Sequence, residues 1–181
     1  MALKCNRTNS AAYYARPVKP DIPGVDARKV VMAEDILKGF RPAGKRMVII
    51  GGGRVGCETA EFIAQSGGEV IILVRRDKVG RDIGSSTRWV VLQLLKKADV
   101  RIETNVPVTG ITEQGVSVSR SGRADFFPAD TVVIAAGMES CNRLFVALQG
   151  KLAGVQAIRD CVKPRGIAEA IEEGFRAGLL L

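Results

Sequence analysis

The chain contains no histidine. Catalytic triads and most zinc sites draw on imidazole, so both are close to excluded at the outset. Its four cysteines, Cys5, Cys57, Cys141 and Cys161, are scattered without a C-x-x-C pair. That spacing argues against a thiolate metal site and fits reduced, cytoplasmic thiols. Aromatic residues are scarce: one Trp, two Tyr and six Phe in 181 residues. Few stacking platforms are therefore available for nucleic acid. No apolar run approaches the length of a membrane span, and Met1–Ser10 lacks the apolar core of a signal peptide. No membrane partner is expected.

What is present is a globular composition, 46% hydrophobic and 25% charged, enough to bury a core in one domain or one domain with a partial second. The net charge is +8, from 27 Lys+Arg against 19 Asp+Glu. Such a balance suits nucleic acid, an anionic cofactor or plain solubility. The basic residues are dispersed, with clusters no longer than Arg75-Arg76 or Lys96-Lys97. With no recognition motif either, no nucleic-acid partner is expected.

The most informative stretch is RMVIIGGGRVGCETAEF, Arg46–Phe62. Met47–Ile50 is short and apolar, as in a strand buried on both faces. From Val55 onward Ala60, Ile63 and Ala64 recur at helical spacing. Gly51, Gly53 and Gly56 thus form G-x-G-x-x-G between a strand and a helix. Gly51 allows the tight turn, Gly53 lets backbone approach a pyrophosphate, and Gly56 brings helix against sheet. The helix N-terminus adds unpaired N–H groups and partial positive charge. The alternative is a tight turn with no ligand.

Elsewhere, RPVKPDIPGVD (Arg16–Asp26) carries three prolines and reads as an extended connector, and MAEDILKGF as a short helix closed by Pro42 and Gly44. A second strand spans Glu69–Val74. SSTRWVVLQLLKKA follows as a helix capped by Ser85 or Ser86, with Trp89, Leu92 and Leu95 or Lys96 repeating along it. DVRIET is a third strand. The order β-α-β-α-β predicts a parallel sheet. The pattern then alternates over Thr109–Phe127, breaking at 113–115 and 121–122, which predicts an antiparallel meander returning to a buried strand at Thr131–Ala135. The tail predicts a helix near Asn142–Leu148, a strand at Val155–Ile158 and a helix from Arg165 to Leu180.

In a dinucleotide fold the end of the second strand lies beside the adenosine ribose, where an acid selects NAD and basic residues accept a 2′-phosphate. That position is Val74, followed by Arg75, Arg76, Asp77 and Lys78. The sequence therefore points to NADP(H), with NAD(H) as the alternative if both arginines only solvate a strand end.

These motifs, with FPADTVVIAAGM and AIRDCVKPRGIAEAIEEGFRAG in the same order, resemble the pyridine-nucleotide-binding region of the FAD-dependent pyridine nucleotide oxidoreductases. More narrowly the chain resembles the C-terminal part of the old-yellow-enzyme-like 2,4-dienoyl-CoA reductase and NADH:flavin oxidoreductase group. The resemblance implies an α/β fold: a Rossmann-like βαβαβ sheet with a β-meander, plus remnants of a second, FAD-type domain. It implies an irregular N-terminus over 1–15, a connector or FAD-type remnant over 16–43, an NAD(P)H-binding domain over 44–137 and a C-terminal FAD-type remnant over 138–181.

The cofactor-binding residues so implied are Gly51, Gly52, Gly53, Arg54, Val55, Gly56, Glu58, Arg75, Arg76, Gly137 and Asp160. Glu58 would lie near the nicotinamide–flavin junction, or else serve only as a first-turn acid on the helix dipole. Asp160 stands where the family has I-G-D, with Arg159 replacing the glycine, and Tyr13–Pro17 stands where it has A-T-G-A-R-P. Cys57 falls in the family's Gly-Cys-Glu and is read as packing. The C-x-x-x-x-C of disulfide reductases is absent, so thiol–disulfide chemistry is not expected. No residue is assigned as catalytic and none as a metal ligand.

Only one glycine fingerprint occurs, and the 16 residues before Pro17 are too few for a βαβ unit of about 30. FAD belongs to the parent family, and the chain alone is expected to purify without it, to bind it only weakly and to lack turnover. Its partners are expected to be a dinucleotide together with a flavin-carrying chain or a second copy. The reading from another class is a non-catalytic NADP(H)-binding module.

Overall fold

The computed structural model describes residues 15–39, 44–151 and 155–179. Residues 1–14 of the irregular N-terminus expected over 1–15, Pro42, and the last turn at Leu180 lie outside the described residues. The elements run β1 (Ala15–Pro17), β2 (Val30–Met32), α1 (Ala33–Leu37), β3 (Arg46–Ile50), α2 (Arg54–Gln65) and β4 (Glu69–Val74). Then come α3 (Ser85–Lys97), β5 (Arg101–Thr104), β6 (Val108–Thr112), β7 (Gly115–Arg120), β8 (Arg123–Pro128) and β9 (Thr131–Ile134). The tail holds β10 (Met138–Ser140), α4 (Arg143–Leu148), a 3-10 turn at Arg159–Cys161 and α5 (Ile167–Leu179).

Contacts divide the chain into two compact units, one of them Pro17–Gly137 and the other the residues on either side. The first is built on a parallel five-stranded sheet, ordered β2-β9-β3-β4-β5. Alternation along each strand sorts the core into two layers. Met47, Ile49, Val70, Ile72 and Val133 point to one face and pack with Cys57, Ala60, Ile63 and Leu95 of α2 and α3. Val48, Ile50, Leu73, Val132 and Ile134 point to the other and pack with Ile111, Val116, Val118 and Phe127 of the antiparallel β6-β7-β8 meander. The fold is α/β, a parallel sheet covered by helices on one side and by a meander on the other. Burying both faces explains why β3 and β9 read as uninterrupted apolar runs.

The connector expected at 16–43 is less detached than its prolines suggest. Residues 17–39 group with the sheet unit, β2 adds a strand beside β9, and Ile22 and Val25 pack on the meander layer. Three-residue strands fall below the length at which alternation is readable, so β1, β2 and β10 carry no sequence signal.

The α3 cap also differs. Gly84, not Ser85 or Ser86, is the N-cap residue and contributes no side chain. Trp89 is 64% exposed, so the buried stripe of α3 runs through Leu95, with Val91 and Leu92 beside it.

β3 and β9 are fastened at one end by Asp130. Its carboxylate accepts the Lys45 and Arg46 N–H groups at 3.0 and 2.9 Å and the Arg46 guanidinium at 2.6 and 3.2 Å. The Arg46 side chain, followed by the two amides, holds this carboxyl well below the usual carboxylate range. A depressed folded pKa contributes stability above the unfolded value of about 3.9, and that contribution is lost as pH falls through the folded value. Asp130→Asn is expected to lower the melting temperature at pH 7, with the gap to wild type closing as thermal melts are taken below about pH 4.

In the second unit β1 pairs with β10, and Arg16 meets Glu139 at 2.6 Å. None of its described residues is buried. Ile167, Ile171, Phe175 and Leu179 recur every four residues on α5, each at least 67% exposed. That spacing lays them along one face of the helix. The strand expected at Val155–Ile158 is not formed, because no neighbouring strand among the described residues offers it a ladder.

Candidate functional site

β3 is the point where the strand order reverses. The chain proceeds from β3 to β4 and β5 on one side, then returns through the meander to β9 on the other. Ligands of open α/β sheets bind outside the carboxyl ends of strands at such a switch point. A cavity of about 730 Å³ lies there in the first unit. Its walls come from the glycine turn after β3 (Gly51–Gly53), the end of β4 (Leu73–Arg76), Ala136 after β9, Val106–Val108 after β5, and Val18 and Pro20–Ile22 of the connector.

Each glycine of the turn has a separate steric reason. Gly51 has φ +120°, and a Cβ there would stand 2.1 Å from the Ala135 carbonyl oxygen. Gly56 would place a Cβ 2.0 Å from the Gly51 oxygen, so it seats α2 on the turn. At Gly52 a Cβ would meet Val74 and Val79 at 2.5 and 2.9 Å. Gly53 differs: its φ is −79°, and the only close group is the Asp82 carboxylate, 3.1 Å away. Its bare Cα therefore faces polar space beside the α2 N-terminus, the geometry of a phosphate cradle.

Arg75 and Arg76 line the same cavity, with Lys78 and Arg81. All four are exposed, and Arg81 is paired with Asp77 at 3.5 Å. A glycine turn at a helix N-terminus with four cations at the next strand end fits a phosphorylated dinucleotide. Arg81 and Asp82 carry little signal in the sequence. They sit in an aperiodic loop, marked only by the continued alternation of charge after Lys78.

The other expected residues fall outside the cavity lining. Arg54 begins α2, and its N–H donates to both Asp82 oxygens at 3.0 Å. Val55 is half-buried against the helix layer, and its carbonyl accepts the Thr59 hydroxyl at 2.7 Å. Glu58 is exposed on α2. Gly137, at φ +113°, ends the β9 loop and accepts the Val18 N–H at 2.9 Å. Burial pushes the Cys57 thiol up to about 11, with the Asp82 and Glu58 charges adding to the rise. A protonated, buried thiol is a packing group.

Asp160 belongs to the second unit, where it lines a cavity of about 590 Å³ with Arg159, Met138, Leu144, Phe145 and Ile158. Arg159 takes a left-handed backbone, φ +63°, which a glycine would adopt without strain. The lining is mostly apolar. Among the described residues of the second unit no glycine turn joins a strand to a helix, so those residues by themselves offer no diphosphate cradle for FAD. None of the described helices is long and apolar enough to cross a membrane, and no described cluster of His, Cys, Asp and Glu suits a metal ion.

Residues 12–160 match the family described as pyridine nucleotide-disulphide oxidoreductase. The chain is 34% identical to a metal reductase of Desulforamulus reducens, over 91% of this chain and 29% of that protein. It is 33% identical to an NADH oxidase of Thermoanaerobacter brockii, over 90% of this chain and 26% of the oxidase. Among solved structures, a 2-naphthoyl-CoA reductase complexed with 2-naphthoyl-CoA superposes with a TM-score of 0.87 at 31% identity, covering 92% of this chain and 26% of that one. The chain thus spans less than a third of the length of these relatives. The family consists of oxidoreductases that use NAD(P)H together with FAD. By its glycine turn, its sheet and this match, the chain belongs to the pyridine nucleotide-disulphide oxidoreductase family.

Proposed function

We propose that this chain is the NADP(H)-binding portion of a flavin-dependent reductase of the dienoyl-CoA reductase and NADH:flavin oxidoreductase type. The observation that carries this reading is the convergence of Gly51–Gly53 with Arg75, Arg76, Lys78 and Arg81 on one cavity at the sheet's switch point. The likeness to 2-naphthoyl-CoA reductase supports the type. A bound reduced nicotinamide supplies hydride to a flavin. The residues of this chain bind and orient: the glycine turn and the first turn of α2 receive the pyrophosphate, and Arg75 and Arg76 receive the 2′-phosphate. Glu58, exposed on α2, serves the nicotinamide end.

Residues 44–137 act as the nucleotide domain, 138–181 belong with a FAD-type domain, and 16–43 is a FAD-type remnant whose residues 17–39 pack on the nucleotide domain's sheet. The break in contacts at Gly137–Met138 supports the second boundary. Asp160 is the tail's flavin-side contact in that arrangement. The unburied second unit and the apolar stripe of α5 support a protein partner, either a flavin-carrying polypeptide or a second copy. Alone, the chain binds nucleotide and turns nothing over, a reading supported by the single strand–G-x-G-x-x-G–helix cradle among the described residues. Free thiols at Cys57, Cys141 and Cys161 support a reducing, cytoplasmic setting.

The test is calorimetric titration with NADPH and NADH. NADPH is expected to bind more tightly, and Arg75→Ala with Arg76→Ala to erase a preference on the order of a hundredfold, since each charge-assisted bond is worth roughly 1.5–3 kcal/mol. Equal affinities in the wild type, or an undiminished preference in the double variant, refute the assignment.

A further inference from the structure

One carboxylate in the nucleotide cavity has no place among groups that bind phosphate. Asp82 is exposed and lies in the loop between β4 and α3. Both its oxygens sit 3.0 Å from the Arg54 nitrogen, and Oδ2 is the atom that a Cβ added at Gly53 would meet first, at 3.1 Å. The N-cap of α2 is Gly53, which has no side chain to cap the helix. Asp82 performs that capping from 28 residues away.

The same loop is tied to the glycine turn elsewhere. The Gly80 N–H donates to the Gly52 carbonyl at 2.5 Å, and the Arg88 Nε–H donates to the Val79 carbonyl at 2.7 Å. Val79 and Ile83 are buried in the helix-side core, while Arg75, Arg76, Lys78 and Arg81 stay exposed along the cavity. Two buried anchors therefore hold a strip of cations, and the Asp82 carboxylate bonds that strip to the first turn of α2.

We propose that Asp82 is a specificity-positioning residue. It locks the Arg75–Gly84 loop onto the glycine turn and so sets the distance between the 2′-phosphate cations and the pyrophosphate cradle. This rests on reading the cavity as an NADP(H) site. The carboxylate occupies only the Arg54 amide. The Val55 amide, next in the first turn, has no intrahelical partner and remains for pyrophosphate. The four cations outnumber the two carboxylates of the lining, Asp21 and Asp82, so a polyanionic ligand enters without expelling Asp82.

The experiment titrates the chain with NADPH, NADH and adenosine 2′,5′-bisphosphate, comparing wild type, Asp82→Asn and Asp82→Ala. Asp82→Ala should weaken NADPH and the bisphosphate about tenfold and NADH by less than about threefold, because only the first two carry the 2′-phosphate. Asp82→Asn keeps an acceptor oxygen for the Arg54 N–H and should stay within about threefold of wild type for all three. A general folding defect would instead weaken all three alike and refutes the proposal. An unchanged NADPH-to-NADH ratio in Asp82→Ala also refutes it. So does tighter NADPH binding in both variants, which would mean that the carboxylate competes for the phosphate seat.

Amide hydrogen exchange of the free chain reads the lock without nucleotide. Asp82→Ala should speed exchange at Arg54 and across the loop by about tenfold or more. Unchanged exchange overturns the lock even if wild type prefers NADPH. Binding of neither nucleotide by wild type overturns the NADP(H) reading and the specificity role with it, and exchange then reports only on the capping bond.

Discussion

Gly53→Val should abolish pyridine-nucleotide binding, weakening it by more than about a hundredfold, while the fold survives. The backbone at Gly53 has φ −79° and ψ −174°, extended geometry open to any residue. An added Cβ meets only the far end of the Asp82 side chain, at 3.1–3.5 Å, a contact relieved by a shift of a few tenths of an ångström. The rest of the isopropyl group then projects into the space where a pyrophosphate must approach backbone. A hundredfold loss corresponds to about 2.8 kcal/mol, roughly what two charge-assisted hydrogen bonds contribute. Circular dichroism and melting should change little, and titration with NADPH should show no saturation at micromolar protein. Normal NADPH binding by this variant would reduce the glycine pattern to a turn without a ligand.

Two residues earlier the same chemical change has the opposite character. Gly51→Ala should destabilise the sheet unit itself. The residue sits at φ +120°, a region almost confined to glycine, and its new Cβ would stand 2.1 Å from the Ala135 carbonyl oxygen and 2.6 Å from the carbonyl carbon. Those atoms belong to backbone at the end of β9, hydrogen-bonded to Ile50 through the Ala135 N–H, so neither can step aside. Strained backbone costs about 1–3 kcal/mol and overpacking about as much again, giving roughly 2–6 kcal/mol in all. For a unit of this size the melting temperature should fall by about 10 °C or more. A melt within a few degrees of wild type would mean that β3 and β9 separate there at little cost. The pair of variants distinguishes the glycine that serves the ligand from the glycine that serves the sheet.

Features carried by contiguous residues are legible in the amino-acid sequence alone. The run Met47–Ile50, the Gly51–Gly53–Gly56 spacing and the basic doublet Arg75-Arg76 each lie within a few residues. So the strand, the turn and the NADP(H) expectation follow from periodicity and local chemistry. The meander is legible for the same reason, since its strands are joined by turns of two residues and alternate in period two.

Tertiary structure decided what depends on partners distant along the chain. Insertion of β9 between β2 and β3 turns the glycine turn into a switch point, and no local pattern encodes that pairing. Strand formation needs a neighbour, which is why Val30–Met32 became β2 beside β9 while Val155–Ile158 remained irregular. Helical spacing puts Trp89 on the repeating stripe of α3, yet it faces outward, because a helix buries the face its neighbours cover rather than its largest side chain. Asp82 is the plainest case: its sequence neighbours mark it as one charge in a charged loop. Its bonds to the Arg54 N–H exist only because β3 and β4 lie side by side and bring the ends of both strands to one rim of the sheet.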